Sequence, residues 1–434
     1  MTTKFSTTTI NINSLLTNPI MKYAHLADLH LGSWREPKMR DLSTKAFLTA
    51  INQCIQNQVD FILFAGDVFN TSLPSLDTLK IVTKKLKELK DKNIPLYVIA
   101  GSHDFSPSGK TMIDVLENAG LLKNVCRGKI HPETKELHLQ FFTDPKTGTK
   151  LTGILGRKGQ LDKTYYQNLH LDNLEQESGY KIFMFHTTLS EMKPKHMEKV
   201  ESQPASFLPK NFNYYAGGHI HHPTKIELEG YGTLTYPGAL FPNNFSEVEK
   251  YSHGGYYLIT VDDLETNTQN NTQNVEWVPL KIMEHHAITI NCHQKSPEVA
   301  AFDILNHFEK LSVQDTLVTI RLTGTLAKGK VSDINFNQIF AELYHKGAYF
   351  IMKNTAGLLS EEFEEIKIAA SNPETMEEEI IKEHLQQNKL YDTETELLLT
   401  KTLLNALATA KKEGENVSDF QERVIQEIGR ILNL

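Results

Sequence analysis

The alternation of apolar and polar positions in the first part of the chain predicts buried strands separated by amphipathic helices. Short continuous apolar runs indicate strands, and apolar residues that recur every three or four positions indicate helices. In chain order the pattern predicts a strand over 22–30, a helix over 42–58, a strand over 59–67, a helix over 74–92, a strand over 94–104 and a helix over 111–120. This βαβαβ order is typical of an α/β domain.

The character of the sequence changes along the chain and predicts four parts. Residues 1–20 are rich in Thr and Asn and lack an apolar pattern, so we expect a disordered extension there. Residues 21–283 continue the α/β domain with further strand-like segments, including 213–223. Residues 284–371 mix strand and helix patterns as a small α+β domain does, and residues 372–434 are typical of charged amphipathic helices.

Composition narrows the classes of protein that this chain can represent. Its 434 residues exceed one ordinary core, and no apolar run approaches the roughly 20 residues of a membrane helix. The cysteines Cys54, Cys126 and Cys292 form no CxxC pair, so we expect a reducing cytoplasm rather than a disulfide framework or a zinc ribbon. The net charge of −8 argues against coating nucleic acid by bulk charge, although it does not exclude a nuclease.

Five strand-like segments share an unusual feature at their carboxyl ends. Each apolar run passes directly into side chains that bind metals or move protons. The segments are HLADLH with Asp28 and His30, LFAGD with Asp67, IAGSHD with Ser102, His103 and Asp104, FMFH with His186, and GGHIH with His219 and His221. Because ligands bind at the carboxyl ends of strands in open α/β sheets, we expect these side chains to converge.

The types and number of these side chains predict two metal ions. Imidazole and carboxylate groups without thiolate suit manganese, iron or zinc rather than calcium. Two aspartates and five histidines are too many for one ion, and a pair of ions needs a bridging carboxylate, for which Asp67 is the natural candidate. Paired ions about 3.5–4 Å apart serve in-line displacement at phosphorus. Each fragment alone is also compatible with a turn or a hydrogen-bonded core histidine, and only their combination favours the metal site.

The order of these motifs resembles that of the calcineurin-like metallophosphoesterases over residues 22 to about 260. More closely, the segments HLADLHLG, FAGDVFN, GHIHHP and YPGALF resemble the archaeal DNA double-strand-break repair nucleases of the meiotic-recombination-eleven/SbcD type. The resemblance implies a four-layer metallophosphoesterase β-sandwich flanked by helices over 21–283. It further implies that 284–371 is a capping domain that binds DNA and that 372–434 docks an SMC-like ABC ATPase.

The resemblance also implies a role for each strand-end residue. Metal one would be held by Asp28, His30, Asp67 and His221, and metal two by Asp67, His186 and His219. His103 would face the leaving oxygen as general acid or transition-state stabiliser. Asp104 would orient His103 and fix its tautomer.

Two positions depart from the pattern of the family. Ser102 stands where an asparagine ligand to metal two is usual, so we expect this ion to be loosely held and activity to need plentiful manganese; a purely structural role in the turn is the alternative. Asn70 stands where many relatives carry a histidine near the phosphate, and an amide cannot shuttle a proton. Arg35 and Arg40, beside the first motif, are either phosphate contacts or residues of a solvated loop.

The function that the resemblance implies is that of the nuclease subunit of a double-strand-break repair complex, which hydrolyses DNA phosphodiesters with two Mn²⁺ ions. It implies 3′-to-5′ exonuclease activity on duplex ends, endonuclease activity on single strands, and a homodimer formed through helices of the nuclease domain. Two alternatives stay open: a hydrolase of small phosphodiesters, and a scaffold that binds DNA ends with a weakened second metal site. We expect a cytoplasmic, nucleoid-associated protein.

Overall fold

The computed structural model of the chain describes residues 21–106, 109–157, 162–262, 273–360, 392–411 and 415–432, together with Ile381. The predicted extension 1–20 and part of the predicted docking segment 372–434 lie outside these residues. The chain divides into two compact units, one of Met1–Asn291, Ala300–Thr323 and Asn335–Gly357, the other of Cys292–Val299, Gly324–Ile334 and Leu358–Leu434. The predicted domain boundaries at 283 and 371 stay predictions.

The first sheet contains the strands that the βαβαβ pattern predicts, and it has six strands. They are β1 (Met21–Leu26), β2 (Phe61–Ala65), β3 (Leu96–Ile99), β4 (Lys123–Asn124), β13 (Gly254–Val261) and β14 (Gln273–Leu280), in the order β14-β13-β1-β2-β3-β4. Strands β1 to β4 run parallel, and β13 runs antiparallel to β1 with Ile259 opposite Tyr23. The parallel run brings the carboxyl ends of β1, β2 and β3 to one edge of the sheet.

The second sheet also has six strands and carries the remaining motifs. They are β7 (Phe142–Thr143), β8 (Lys150–Ile154), β9 (Lys181–His186), β10 (Tyr214–Gly218), β11 (Thr224–Glu227) and β12 (Thr233–Tyr236), in the order β11-β12-β10-β9-β8-β7. Because β9 and β10 are parallel and in register, His186 at the end of β9 lies opposite Gly218 at the end of β10. A separate hairpin pairs β5 (Gly128–Ile130) with β6 (Leu137–Leu139).

The helices occupy the intervals between strands. Within the described residues they are α1 (Pro37–Gln56), α2 (Leu76–Asp91), α3 (Met112–Asn118), α4 (Lys163–Gln167), α5 (Asp172–Glu175), α6 (Phe245–Tyr251), α7 (Pro297–Phe308), α8 (Phe336–His345), α9 (Thr393–Leu407) and α10 (Val417–Leu432). The predicted start of the first helix at 42 is wrong, because the helix already begins at Pro37, a residue whose fixed φ suits the first helical position. Thr111 and Asp114 form a capping box at the start of α3.

A buried apolar layer joins the two large sheets face to face. Its side chains come from the first sheet, such as Leu63 and Tyr97, and from the second, such as Met184 and Ala216. The other face of the first sheet packs against α1, α2 and α3, and the other face of the second packs against the short helices α4 and α5. These four layers confirm the predicted α/β β-sandwich flanked by helices.

The strands and helices predicted after 283 are present as well. β15 (Glu284–Asn291), β16 (Thr316–Leu326) and β17 (Phe350–Ser360) form a three-stranded sheet in that order, with β15 parallel to β16. Further along, α9 and α10 pack against each other as a helical segment near the carboxyl terminus. Among the described residues, no helix combines the length and the apolarity that a bilayer crossing requires.

Replacement of Leu63 by Ala tests the layer between the two sheets. The side chain of Leu63 is fully buried, so its loss leaves a cavity, and we expect the free energy of unfolding to fall by about 2–5 kcal/mol. Leu311→Ala is the matched control, because Leu311 is 38% exposed and its truncation is expected to change stability by no more than about 0.5 kcal/mol. Urea denaturation of the metal-free chain measures both, and equal losses would contradict the inter-sheet core.

Candidate metal centre

The loops that follow β1 and β2 continue the parallel pairing of these strands and carry the first two motifs together. Asp28 N donates to Gly66 O at 3.2 Å, and His30 N donates to Asp67 O at 3.0 Å. Leu31 then forms an isolated parallel bridge with Phe69. Main-chain hydrogen bonds therefore place the side chains of Asp28, His30 and Asp67 side by side, as the strand-end motifs predict.

Four of the predicted ligands adopt left-handed backbone conformations that side chains rarely adopt. The φ angles are +50° at Asp28, +42° at His30, +49° at Asp67 and +89° at His219. Such conformations cost on the order of 1–3 kcal/mol each, and they persist where the surrounding structure enforces them, typically at functional sites. Four of the residues that the sequence singles out for metal binding are therefore among the strained positions of the chain.

Two glycines allow the two sheets to approach each other at the site. A Cβ atom at Gly66, whose φ is +86°, would collide with the Nδ1 atom of His186, and a Cβ atom at Gly218 would collide with the carbonyl oxygen of Ala65. Both glycines therefore hold space that the close approach of β2, β9 and β10 requires. Their place directly before a predicted ligand follows from this contact between sheets.

One group of metal-binding atoms comes from Asp28, His30 and His221. Their ligand atoms all lie within 4.8 Å of one another. The Nε2 atoms of His30 and His221 are 3.2 Å apart, and His221 Nε2 is 3.9 Å from Asp28 Oδ1. Two imidazole nitrogens at 3.2 Å are spaced as neighbouring ligands of one ion, for which metal–nitrogen bonds of about 2.0–2.1 Å are usual.

A second group of metal-binding atoms shares the carboxylate of Asp28 with the first group. The ligand atoms of Asp28, Asp67 and His186 lie within 4.8 Å of one another. Asp67 Oδ2 is 3.3 Å from His186 Nε2 and 3.6 Å from His30 Nε2, so one oxygen atom lies between the two groups. The role of Asp67 as a carboxylate that bridges two ions stays a prediction.

The surroundings of the His186 ring favour the binding of a cation. His186 Nδ1 donates to Ala65 O at 2.8 Å, so the Nε2 atom points towards the carboxylates. His186 Nε2 is buried and finds no hydrogen-bond partner among the described residues, despite its 3.3 Å approach to Asp67. A buried nitrogen that lacks such a partner beside two carboxylates fits a divalent metal ion, which is the group that the fold implies.

Burial shifts the pKa values of the site towards neutral side chains. It raises the pKa of Asp28 to about 6, and it lowers the pKa of His30 to about 3 and that of His219 to about 4. The buried site therefore disfavours isolated charges of either sign. A divalent cation reverses this preference for the carboxylates, because it stabilises their ionised form.

Asp67 and His186 form the exception, because they neutralise each other. Burial alone would raise the pKa of Asp67, but the charge of His186 holds it well below its usual range. For His186, burial lowers the pKa while the Asp67 carboxylate raises it to about 10. Asp67 and His186 would hold a metal ion in place of the proton on His186, so metal binding would release a proton.

His219 lies beside the metal-binding atoms and also supports them. Its main-chain N–H donates to both carboxylate oxygens of Asp28, at 3.0 and 2.9 Å. Its ring packs edge-on against that of His186, with 5.3 Å between the centroids. The structure thus brings His219 to the site, and its role as a ligand of metal two stays a prediction.

The turn after β3 surrounds Asp67 with hydrogen-bond donors. His103 N donates to Asp67 Oδ1 at 2.7 Å, and Ser102 Oγ donates weakly to Asp67 Oδ2 at 3.5 Å. Ser102 is buried, and its hydroxyl lies beside Asp67 Oδ2, the oxygen atom that also approaches His186. Whether the hydroxyl ligates metal two stays a prediction.

The predicted role of Asp104 in orienting His103 is wrong. His103 Nδ1 donates to the carbonyl oxygen of Asn70 at 3.0 Å, and this bond sets the orientation of the ring. The Asp104 carboxylate instead accepts three main-chain N–H bonds, from Gly101 at 2.9 Å, Phe69 at 3.1 Å and Val68 at 3.3 Å. Burial, and then the charge of Asp67, raise the pKa of Asp104 to about 7. Asp104 therefore ties the β2 and β3 loops together.

The candidate DNA contacts have different surroundings. Arg40 donates to the carbonyl oxygens of Trp34 and Arg35, so its guanidinium closes the turn before α1. Arg35 is exposed to solvent in the segment that follows the first motif in sequence. Asn70 is half-buried and holds His103 through its main chain, a role that any residue at this position can fill. Contacts of these side chains with DNA stay predictions.

The sequence analysis missed Glu247, which holds a predicted metal ligand. Its Oε1 atom accepts from His221 Nδ1 at 3.0 Å, and its Oε2 atom accepts from Asn243 N at 2.8 Å. His221 in turn lowers the pKa of Glu247 against the effect of burial. In sequence, Glu247 follows the helix cap Asn244 by three positions, which indicates only an ordinary helix start.

Comparisons with known proteins agree with this geometry. The model of the family described as calcineurin-like phosphoesterase matches residues 21–223. The chain is 25% identical to the DNA double-strand break repair protein Mre11 of Archaeoglobus fulgidus, over 94% of this chain and 89% of that protein. It is 29% identical to the protein of the same name from Methanococcus maripaludis, over 55% of this chain and 62% of that protein.

A bacterial protein shows a similar match. The chain is 29% identical to the SbcD component of the nuclease SbcCD from Staphylococcus epidermidis, over 61% of this chain and 71% of that protein. Together with the archaeal matches, this similarity confirms the resemblance that the strand-end motifs indicate.

Replacement of Glu247 by Gln tests the support of the metal ligand. The amide keeps the size of the side chain but removes the charge that orients His221, so we expect metal affinity to fall about 10- to 100-fold. Glu249→Gln is the matched control, because Glu249 lies on the same short helix and pairs with Arg321 instead. Titration calorimetry with Mn²⁺ measures both affinities. An unchanged affinity in Glu247→Gln, or an equal loss in Glu249→Gln, would contradict the role of Glu247.

Proposed function

We propose that the chain is a two-metal DNA nuclease of double-strand-break repair, built on the part that the calcineurin-like phosphoesterase model matches, residues 21–223. The observation that carries the proposal is the convergence of two groups of metal-binding atoms around Asp67. Similarity to an archaeal repair protein over 94% of the chain supports DNA as the substrate. The substrate atom that reacts is the phosphorus of a phosphodiester.

When bound, two divalent ions supply an activated water and neutralise the charge that develops on the phosphate. Manganese is the proposed ion, because the resemblance to the two-metal repair nucleases implies it and because imidazole and carboxylate ligands without thiolate are compatible with it. The proposed ligands are Asp28, His30, Asp67 and His221 for one ion, and Asp67, His186, His219 and Ser102 for the other.

His103 is the residue proposed to act on the leaving group. Its main-chain N–H holds Asp67 and its Nδ1–H is held by Asn70, so Nε2 is left for the substrate. In its protonated form, Nε2–H donates to the oxygen that leaves phosphorus. Asp104 supports His103 indirectly, because its carboxylate accepts a hydrogen bond from the main chain of the turn that carries His103.

The proposed activities are exonuclease digestion of duplex ends from the 3′ side and endonuclease cleavage of single strands. The names of the relatives, a double-strand break repair protein and a component of a nuclease, support this substrate class. Arg35, exposed beside the first motif, is the proposed contact to a substrate phosphate. The proposed location is the cytoplasm at the nucleoid, consistent with the free thiols of Cys54, Cys126 and Cys292.

An ATPase of the SMC-like ABC type is the proposed partner of the segment 372–434. Two features of its described part support docking. The leucines Leu398 and Leu407 on α9 are 69% and 60% exposed, and Ile425 on α10 is 67% exposed. Exposed apolar side chains at helical positions suit the groove or coiled coil of another protein.

Replacement of His103 by Ala tests the proposed reaction. We expect hydrolysis of end-labelled DNA with Mn²⁺ to fall about 10²- to 10⁴-fold, because the general acid is lost. His345→Ala, an exposed histidine on α8, is the control and is expected to retain full activity. Bound metal is counted in each variant, since a ring nitrogen of His103 lies within 4.8 Å of ligand atoms of His30 and Asp67.

Each outcome of this experiment separates the candidate functions. Two ions retained with lost cleavage supports His103 as the acid, whereas a lost ion makes His103 a ligand. Hydrolysis of bis(p-nitrophenyl) phosphate without cleavage of DNA would favour a hydrolase of small phosphodiesters. DNA binding without cleavage, with one ion per chain, would favour a DNA-end scaffold.

Replacement of Leu76 by Asp tests the proposed homodimer through α2 and α3. Leu76 is 83% exposed on α2 and Val115 is 56% exposed on α3, so both are available to a second copy of the chain. We expect the charged variant to be monomeric in size-exclusion chromatography with light scattering, while Leu398→Asp on α9 keeps the mass of the wild type. A monomeric wild type, or a dimer that survives Leu76→Asp, would contradict the proposed interface.

A further inference from the structure

A second cluster of metal-binding side chains lies on the β5–β6 hairpin. The short segment around Leu169 pairs with β6, with Leu137 N donating to Asn168 O at 2.7 Å and His170 N donating to Leu137 O at 3.0 Å. Leu137 and Leu169 point into the apolar core below. Because side chains alternate along extended chains, the neighbours of these leucines, Glu136, His138 and His170, share the outer face.

The three side chains are close enough to share an ion. Their ligand atoms all lie within 4.8 Å of one another. Glu136 Oε2 is 3.5 Å from His170 Nδ1 and 3.8 Å from His138 Nε2. The side chains are 29–43% exposed, so solvent reaches the cluster and can supply the remaining ligands of an ion.

The two imidazole rings of the cluster stack against each other. The rings of His138 and His170 lie almost parallel, with 4.1 Å between centroids and 19° between planes. Each ring offers one nitrogen as a ligand atom beside the Glu136 carboxylate.

A threonine of the hairpin holds the Glu136 carboxylate, and a third histidine nearby, His131, is not part of the cluster. Thr134 Oγ1 donates to Glu136 Oε2 at 3.0 Å. His131 packs near His138, but its Nδ1 accepts from Thr134 N at 3.2 Å, so the neutral ring carries its proton on Nε2. His131 therefore lacks a free lone pair and serves as a matched control.

We propose that Glu136, His138 and His170 form a separate binding site for a divalent transition-metal ion of the zinc class. Two imidazoles and one carboxylate are a ligand set that zinc takes with one or more waters. The ion links the β5–β6 hairpin to the segment that ends at His170. It thereby stabilises a peripheral part of the apolar core on the outer face of the second sheet. This site shares no residue with the strand-end centre.

The test counts zinc ions on the full chain. Wild type, the double variant His138→Ala/His170→Ala and the control His131→Ala are stripped with a chelator, dialysed against Zn²⁺ and analysed by mass spectrometry of the metal. We expect the double variant to hold one zinc ion fewer than wild type, and His131→Ala to hold the same number. Zn²⁺ is also expected to raise the midpoint of thermal unfolding less in the double variant than in His131→Ala.

Further readouts keep this site distinct from the strand-end centre. Glu136→Gln is expected to bind zinc at the hairpin more weakly than wild type, because the anionic ligand is lost. Mn²⁺-supported phosphodiester hydrolysis is expected to be unchanged in all of these variants, which shows that they fold and that the strand-end centre is intact. An unchanged zinc count in the double variant, or a loss in His131→Ala as large as in the double variant, would overturn the proposal.

Discussion

The burial of the Asp67 carboxylate is the constraint on which the rest of the site depends. Asp67 is only 2% exposed, and an ionised carboxylate removed from water is costly unless opposite charges and hydrogen bonds surround it. The turn after β3 and the end of β9 supply these partners: the main chain of His103, the hydroxyl of Ser102 and the imidazole of His186. Left-handed backbone at the neighbouring predicted ligands Asp28, His30 and His219 accompanies this arrangement.

The supports of the site reach beyond the strand ends through the seven-residue helix α6. Glu247 on this helix orients His221, and Glu249, two positions on, accepts two hydrogen bonds from Arg321 of β16 at 2.8 and 2.7 Å. Phe245 lies beneath the Arg321 guanidinium. Helix α6 thus connects His221, a predicted metal ligand, to the third sheet. The packing of that sheet therefore contributes to the position of His221.

The local pattern of the sequence was sufficient to predict most of the architecture. The βαβαβ order, the parallel run and the strand ends that carry Asp28, His30 and Asp67 all follow from apolar runs and glycine positions that are visible in the chain. The start of α1 was misplaced because the helix continues upstream of its apolar stripe to Pro37. The role of Asp104 was misassigned because the resemblance connected it to the ring of His103, whereas Asn70 reaches that ring from another loop.

The sequence by itself determined which side chains are the candidates for metal binding, because ligand type and position at the end of an apolar strand are local properties. Only the tertiary structure decided how these side chains are supported. Glu247, Ala65 and Asn70 act across separations of 26, 121 and 33 residues, and two of the three act through main-chain oxygen atoms that no side-chain pattern encodes. The same reason hides the hairpin cluster, since His138 and His170 become neighbours only when Leu137 pairs with Leu169 in the folded chain.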